Sequence, residues 1–448
     1  MNFLIPIAGL LFFAALIYRP GIIAIFFFTI TLADINFEVP GAHLNIRAIT
    51  GILLLLRSMV PDKSNPYPSV FLTSGKYLFI FLFYTVLVTM NYGLADMNFI
   101  KTVSLTAISA YLAYHYFFKT RDYTYLKWSL IIAGVICFSD LVYTYVTVGK
   151  FPVQRIYLSL LHIPVPVDDK GDFLEVINYG FYGMVCGLTF VFLLNEFINK
   201  RVVDKLGILL MPLMFLGVLM STSRSSLLGI IGISVFLIAK QLRSREHSKK
   251  AAKLVTFGVS VVFLSLFLFA SAKEIFNLNS QFVDDITLRL IDEPVAVFNK
   301  HLGLNYNAQS LDALEWRGEA AANASDAFLN LKPEEQLFGI GFWGFVTRNL
   351  GHNDLPPHNG ILMLLIESGI LGLIIYGTLV ISAIWSAFKT PNNLSPLLTC
   401  FIFILIYCLG QNGELTTGST VIFLISLIAE NKYNQMYNPS LKLIGPDE

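Results

Sequence analysis

Residues 205–220 read KLGILLMPLMFLGVLM, and after the four residues STSR (221–224) the chain continues SSLLGIIGISVFLIA through 239. Each apolar run approaches the ~20 residues that a helix needs to cross a bilayer. Neither carries an interior charge, because a charged side chain at the bilayer centre costs roughly 2.5–3.5 kcal/mol on insertion scales. The pair reads as two spanning helices joined by a short polar turn, and that reading decides the fold class.

Working outward, similar runs recur at 3–18, 21–33, 46–60, 77–92, 99–118, 125–148, 176–198, 254–272, 359–386, 396–411 and 418–430. The expected fold is an all-α polytopic membrane protein with about thirteen (12–14) transmembrane helices and one large, partly helical outer (periplasmic) loop. Transmembrane helices 1–10 would fill residues 1–272, the periplasmic loop 273–357, helices 11–13 residues 358–431, and a cytoplasmic tail 432–448. Phe3 to Ile17 is read as a retained first helix, since it lacks a basic leader and Tyr18-Arg19-Pro20 is no small-residue cleavage site.

Composition agrees. The chain is 55% hydrophobic and 14% charged, where a soluble domain carries about 25% charged residues. Its mean hydropathy is +0.66. A net charge of +1 speaks against a nucleic-acid partner, which would call for a basic face. Cys137, Cys186, Cys400 and Cys408 fall inside apolar runs and read as small buried hydrophobes.

Basic residues set the orientation. Arg57, Lys63 and Lys76, then Lys119, Arg121 and Lys127, then Lys200, Arg201 and Lys205, and finally the cluster from Lys240 to Lys253, all fall on one side if the helices alternate. That side is the cytoplasm. The other side receives 221–224 and the long segment 273–357, which is acid-rich yet holds Trp316, Phe328, Phe338, Trp343 and Phe345. Loops longer than about 12–15 residues are usually functional or disordered, and this one has the apolar content to pack. Within it Leu311 to Leu331 suits a helix, capped by Ser310 and stopped by Lys332-Pro333, with Arg317, Ala321, Ala324 and Phe328 along one stripe.

Several residues invite a chemical reading. Arg224 sits at a membrane boundary, where an arginine also simply snorkels, yet on the outer side it runs against the positive-inside bias. Pro357-His358-Asn359-Gly360 places a histidine and an asparagine at the mouth of a helix, followed by Glu367-Ser368-Gly369-Ile370-Leu371-Gly372. At 1.5 Å per residue Glu367 lies some 13 Å beyond His358 on the opposite face, so it reads as structural, with Gly369 and Gly372 letting another helix approach. Gly339-x-Gly341-x-x-Gly344 matches a dinucleotide fingerprint by letter, but a loop setting favours a tight turn. His352, Asp354 and His358 lack a convincing fourth ligand, so no metal is expected.

These pieces together resemble the O-antigen ligase and O-antigen polymerase superfamily. The resemblance rests on Ser221-Thr222-Ser223-Arg224-Ser225, on Trp316-Arg317-Gly318-Glu319 followed by Leu337-Phe338-Gly339-Ile340-Gly341-Phe342, and on His358-Asn359 followed by Glu-x-Gly-x-x-Gly. It covers about 221–372 at the level of motifs and the rest at the level of hydropathy. It implies glycosyl transfer at the periplasmic face of a bacterial inner membrane, from an undecaprenyl-diphosphate-linked glycan donor to a lipid-linked acceptor. On that reading Arg224 and Arg317 grip the diphosphate, Ser223 and Asn359 contact substrate, and His358 takes the acceptor proton. No cofactor is implied; a chain-length regulator and a flippase of the same pathway are the implied partners. Polymerisation of repeat units into O-antigen, capsule or exopolysaccharide is the favoured activity, with ligation to lipid A core or protein as the alternative. A transporter would call for charges along a central pathway or inverted repeats, whereas this chain concentrates its polar groups at one face.

Overall fold

The computed structural model describes residues 14–35, 46–60, 68–148, 179–199, 205–242, 292–305, 312–342, 344–348, 359–388, 395–410 and 418–437, with Phe12, Gly258 and Leu350. Among the described residues the regular structure is helical throughout. In chain order the helices are α1 (Pro20–Leu32), α2 (Ile46–Ser58), α3 (Lys76–Asn91), α4 (Met97–Thr120), α5 (Thr124–Val148), α6 (Tyr179–Asn199), α7 (Lys205–Met220) and α8 (Arg224–Leu242). There follow α9 (Glu293–His301), α10 (Asp312–Leu329), α11 (Pro333–Phe338), α12 (Gly344–Thr347), α13 (Gly360–Phe388), α14 (Pro396–Cys408) and α15 (Gly418–Tyr437).

The apolar runs from 21 to 239 and from 359 to 430 thus appear as helices. The run at 254–272, apart from Gly258, and residues 3–11 and 13 of the first run lie outside the described residues. Among the described residues three helical stretches are long and apolar enough to cross a membrane: Thr124–Tyr143, Gly180–Ile198 and Gly360–Phe388. Five more, Pro20–Leu32, Lys76–Asn91, Lys205–Met220, Arg224–Ala239 and Pro396–Cys408, are apolar but shorter. At 1.5 Å per residue the thirteen-residue α1 spans only ~20 Å.

The chain divides into two compact units. The first holds residues 1–130, 323–401 and 412–448. Its central helix is α15, buried on every side from Ser419 to Ala429, as a helix apolar all round must be. The Asn431 amide donates to the Ala383 carbonyl at 3.1 Å and ties α15 to α13. A second core of Ala324, Ile340, Phe345, Met363 and Ile366, flanked by Phe328 and Leu331, joins α10 and the following loop to α13. Helix α10 spans most of the expected Leu311–Leu331 helix and stops short of Pro333, which opens α11.

The second unit holds residues 131–322 and 402–411. Helices α6, α7 and α8 pack on one another. The Phe403 ring fits against Gly187 of α6 and Gly229 of α8.

Candidate functional site

In the second unit the turn between α7 and α8 is built by serines. The Ser221 hydroxyl donates to the Val218 carbonyl (2.7 Å) and accepts from the Ser223 amide (3.3 Å). Thr222 takes a left-handed conformation, φ 49°. Ser223 caps α8: its hydroxyl oxygen accepts from the Ser226 amide and lies 2.8 Å from the Ser226 hydroxyl. Arg224 is therefore the first residue of α8, half-buried, with its Nη1 withdrawn from solvent. A guanidinium placed where the free amides and positive end of a helix also lie makes a setting complementary to an anion. Gly183 permits this packing, because a Cβ there would meet the Ser221 hydroxyl and the Ser223 side chain. Beside it, Tyr182 donates to the buried carboxylate of Asp140 at 2.6 Å. Sequence reasoning passed over Asp140; a lone acid inside an apolar run was the available signal.

In the first unit the key element is α13. Asn359 caps it, its Oδ1 accepting from the Ile361 and Leu362 amides at 3.1 and 3.0 Å. The helix is broken at Gly369, where φ 67° and ψ −177° are non-helical. Such a break strands the carbonyls of the turn before it, and buried carbonyls must find donors. Three successive ones do. Ile366 O accepts from the Ile340 amide (3.2 Å), Glu367 O from the Gly341 amide (3.0 Å), and Ser368 O from the Tyr84 hydroxyl (3.0 Å). The Gly-x-Gly loop and the Glu-x-Gly helix are thus one unit, stitched main chain to main chain.

Both glycine pairs take part in this contact. The partner that approaches Gly369 is the C-terminal end of α11, through the Leu337 carbonyl, together with the Gly339 amide just after it, while Gly372 faces the Tyr84 ring of α3. Gly339 and Gly341, at φ 84° and 87°, serve that docking, rather than opening a helix after a strand as a dinucleotide loop would. Glu367 is buried and borders a cavity of about 40 Å³ lined by Thr85, Thr102, Thr106, Phe342 and Ser368.

A clamp closes the far end of the loop. Arg348 Nη1 donates to Glu335 Oε1 at 2.8 Å while its guanidinium lies 4.7 Å over the Tyr92 ring. The Arg348 bond is the main cause that holds the Glu335 carboxyl below the usual carboxylate range. Arg348 is committed to this contact and was not among the expected site residues.

The remaining candidates are placed as follows. Arg317 lies on the second turn of α10, and its side chain is outside the described residues. His358, immediately before the Asn359 cap, and His352 and Asp354 are also outside them. Ser223 and Arg224 belong to the second unit, Asn359 to the first.

The long apolar helices define the class, an all-α membrane protein. Residues 209–377 match the family model described as O-antigen ligase, and this segment belongs to the O-antigen ligase and polymerase superfamily. No curated protein matches the chain.

Proposed function

We propose that the protein is an inverting glycosyltransferase of the outer face of a bacterial inner membrane, polymerising undecaprenyl-diphosphate-linked repeat units. The observation that carries this reading is the matched segment, which contains Arg224, Arg317, His358 and the stitched Gly-x-Gly and Glu-x-Gly elements. Outside the cytoplasm there are no nucleotide sugars, so the donor brings its own leaving group. A lipid diphosphate departs with negative charge. Arginine suits it, because its fixed fork of donors binds phosphate oxygens bidentately and stays charged. Arg224 and Arg317 together grip the diphosphate; one preorganised donor of this kind is worth about 2.7–4 kcal/mol. Ser223 and Asn359 contact substrate from the helix starts that they cap. His358 removes the acceptor proton as the hydroxyl oxygen attacks the anomeric carbon and the diphosphate leaves, which inverts that centre. The scheme requires no metal.

The description of the matched family favours a second reading, ligation of the lipid-linked glycan to a lipid A core or protein. Purified protein given lipid-linked repeat units alone separates them. A ladder of chain lengths supports polymerisation. Transfer only when a distinct acceptor is added means ligation, and no transfer to either removes the reading.

A further inference from the structure

The matched segment does not contain everything that shapes its own stitched loop. Helix α3, some 120 residues upstream of it by the numbering, presents Tyr84 and Thr89 to the 338–348 region, and Tyr92 follows at its C-terminal cap. The Tyr84 hydroxyl is shared between the Phe338 carbonyl at 2.7 Å and the Ser368 carbonyl at 3.0 Å. It therefore spans from the loop to the broken helix. The Thr89 hydroxyl donates to Thr85 O and accepts from the Phe342 amide at 3.0 Å, and Gly341 rests on the Thr89 Cα. Tyr92 lies under the Arg348 guanidinium.

Tyr84 and Thr89 touch main-chain atoms of the loop, so this support depends on where the backbone runs and not on which side chains the loop carries. Of the three carbonyls stranded at the Gly369 break, Ile366 and Glu367 are served by the loop, and Ser368 accepts from Tyr84. The segment 360–368 is a short half-helix. Its last carbonyl is capped from α3, and its first turn is capped by Asn359, the residue after His358.

We propose that Tyr84, seconded by Thr89, is a positioning residue of the glycosyl-transfer site: it latches the half-helix and the 338–342 loop into one rigid piece. The role rests on the functional reading above, since it works through His358 and Asn359 and touches no substrate. Losing the phenol leaves a buried carbonyl without its donor, and a displaced half-helix misplaces the acceptor base.

The test uses full-length protein in lipid vesicles with a lipid-diphosphate-linked oligosaccharide as donor, together with amide exchange read by mass spectrometry. Tyr84→Phe should lower kcat about tenfold while KM for the donor stays within about twofold, since an unsatisfied acceptor acts on the geometry and not on the diphosphate contacts. Amide exchange across 338–342 should accelerate in the same variant. Thr89→Val should do both to a smaller degree, and it serves if Tyr84→Phe does not fold. Unchanged exchange in folded variants overturns the latch. Faster exchange with wild-type kcat overturns its role in catalysis. A wild-type protein that transfers nothing overturns the functional reading instead, and exchange still decides the latch.

Discussion

Gly339 and Gly369 meet backbone against backbone: a Cβ on Gly369 would overlap the Gly339 amide nitrogen and the Leu337 carbonyl, and one on Gly339 would overlap the Glu367 carbonyl. Both residues combine a positive φ with an extended ψ, a region open essentially to glycine alone. Replacing either with alanine should cost about 1–3 kcal/mol in conformation before any clash is counted. Thermal unfolding in detergent should show Gly339→Ala and Gly369→Ala well below wild type, with Gly377→Ala, whose Cβ meets open space, close to it. Equal melting of all three would remove the stitch as a structural element.

Charge at Arg224 and Arg317 should be indispensable. Alanine at either position should nearly abolish product with normal membrane insertion. Lysine should rescue only in part, because an ammonium is a point charge without the bidentate fork. Full turnover by both alanine variants would end the diphosphate grip.

His358→Ala should lose rate by on the order of 10²–10⁴-fold with donor binding little changed, the range for a general base. Near-wild-type turnover by His358→Gln would rule out base catalysis. Helix capping does not explain a loss at this position, since Asn359 already accepts the first-turn amides.

The Glu335–Arg348 pair gives a pH signature. Its carboxyl is held below its ordinary value, chiefly by the Arg348 hydrogen bond. The stabilisation is therefore complete above the usual glutamate range and fades as pH falls through the lowered value. Arg348 is partly exposed, so the pair is worth at most about 1 kcal/mol. Glu335→Gln should melt slightly below wild type at neutral pH, and the two curves should merge in acid. A gap that widened on acidification would contradict the assignment.

Topology makes a fifth prediction. Residues 273–357 should face outward and 240–253 the cytoplasm. An impermeant thiol reagent on intact cells should label Ser280→Cys and spare Ser248→Cys. The reverse pattern would invert the orientation, and the site with it.

The helices were legible because exclusion of charge from an apolar run is written directly in the residues, and α7, α8 and α13 lie where those runs do. The Ser-Arg turn was legible in kind: Arg224 was placed at a helix boundary, and the structure adds that Ser223 sets that boundary as a cap. The stitch was half visible. Gly369 announced the close approach of another helix, and the end of α11 makes it, but a glycine names neither that helix nor the loop backbone that docks with it. Tyr84 and Thr89 gave no signal at all. They bond to main-chain atoms about 250 residues away along the sequence, so no local spacing or motif marks them.

That separation also orders events during synthesis. Tyr84 lies 254 residues before Phe338 and 284 before Ser368. At roughly 5–20 residues per second the ribosome needs on the order of tens of seconds to supply those partners once α3 has emerged. Throughout that interval the phenol has neither carbonyl to bind. The half-helix beginning at Gly360 can settle only after Gly369 and the start of α13's second half have been made. The stitched loop and half-helix thus set only long after the early helices of the first unit have been made.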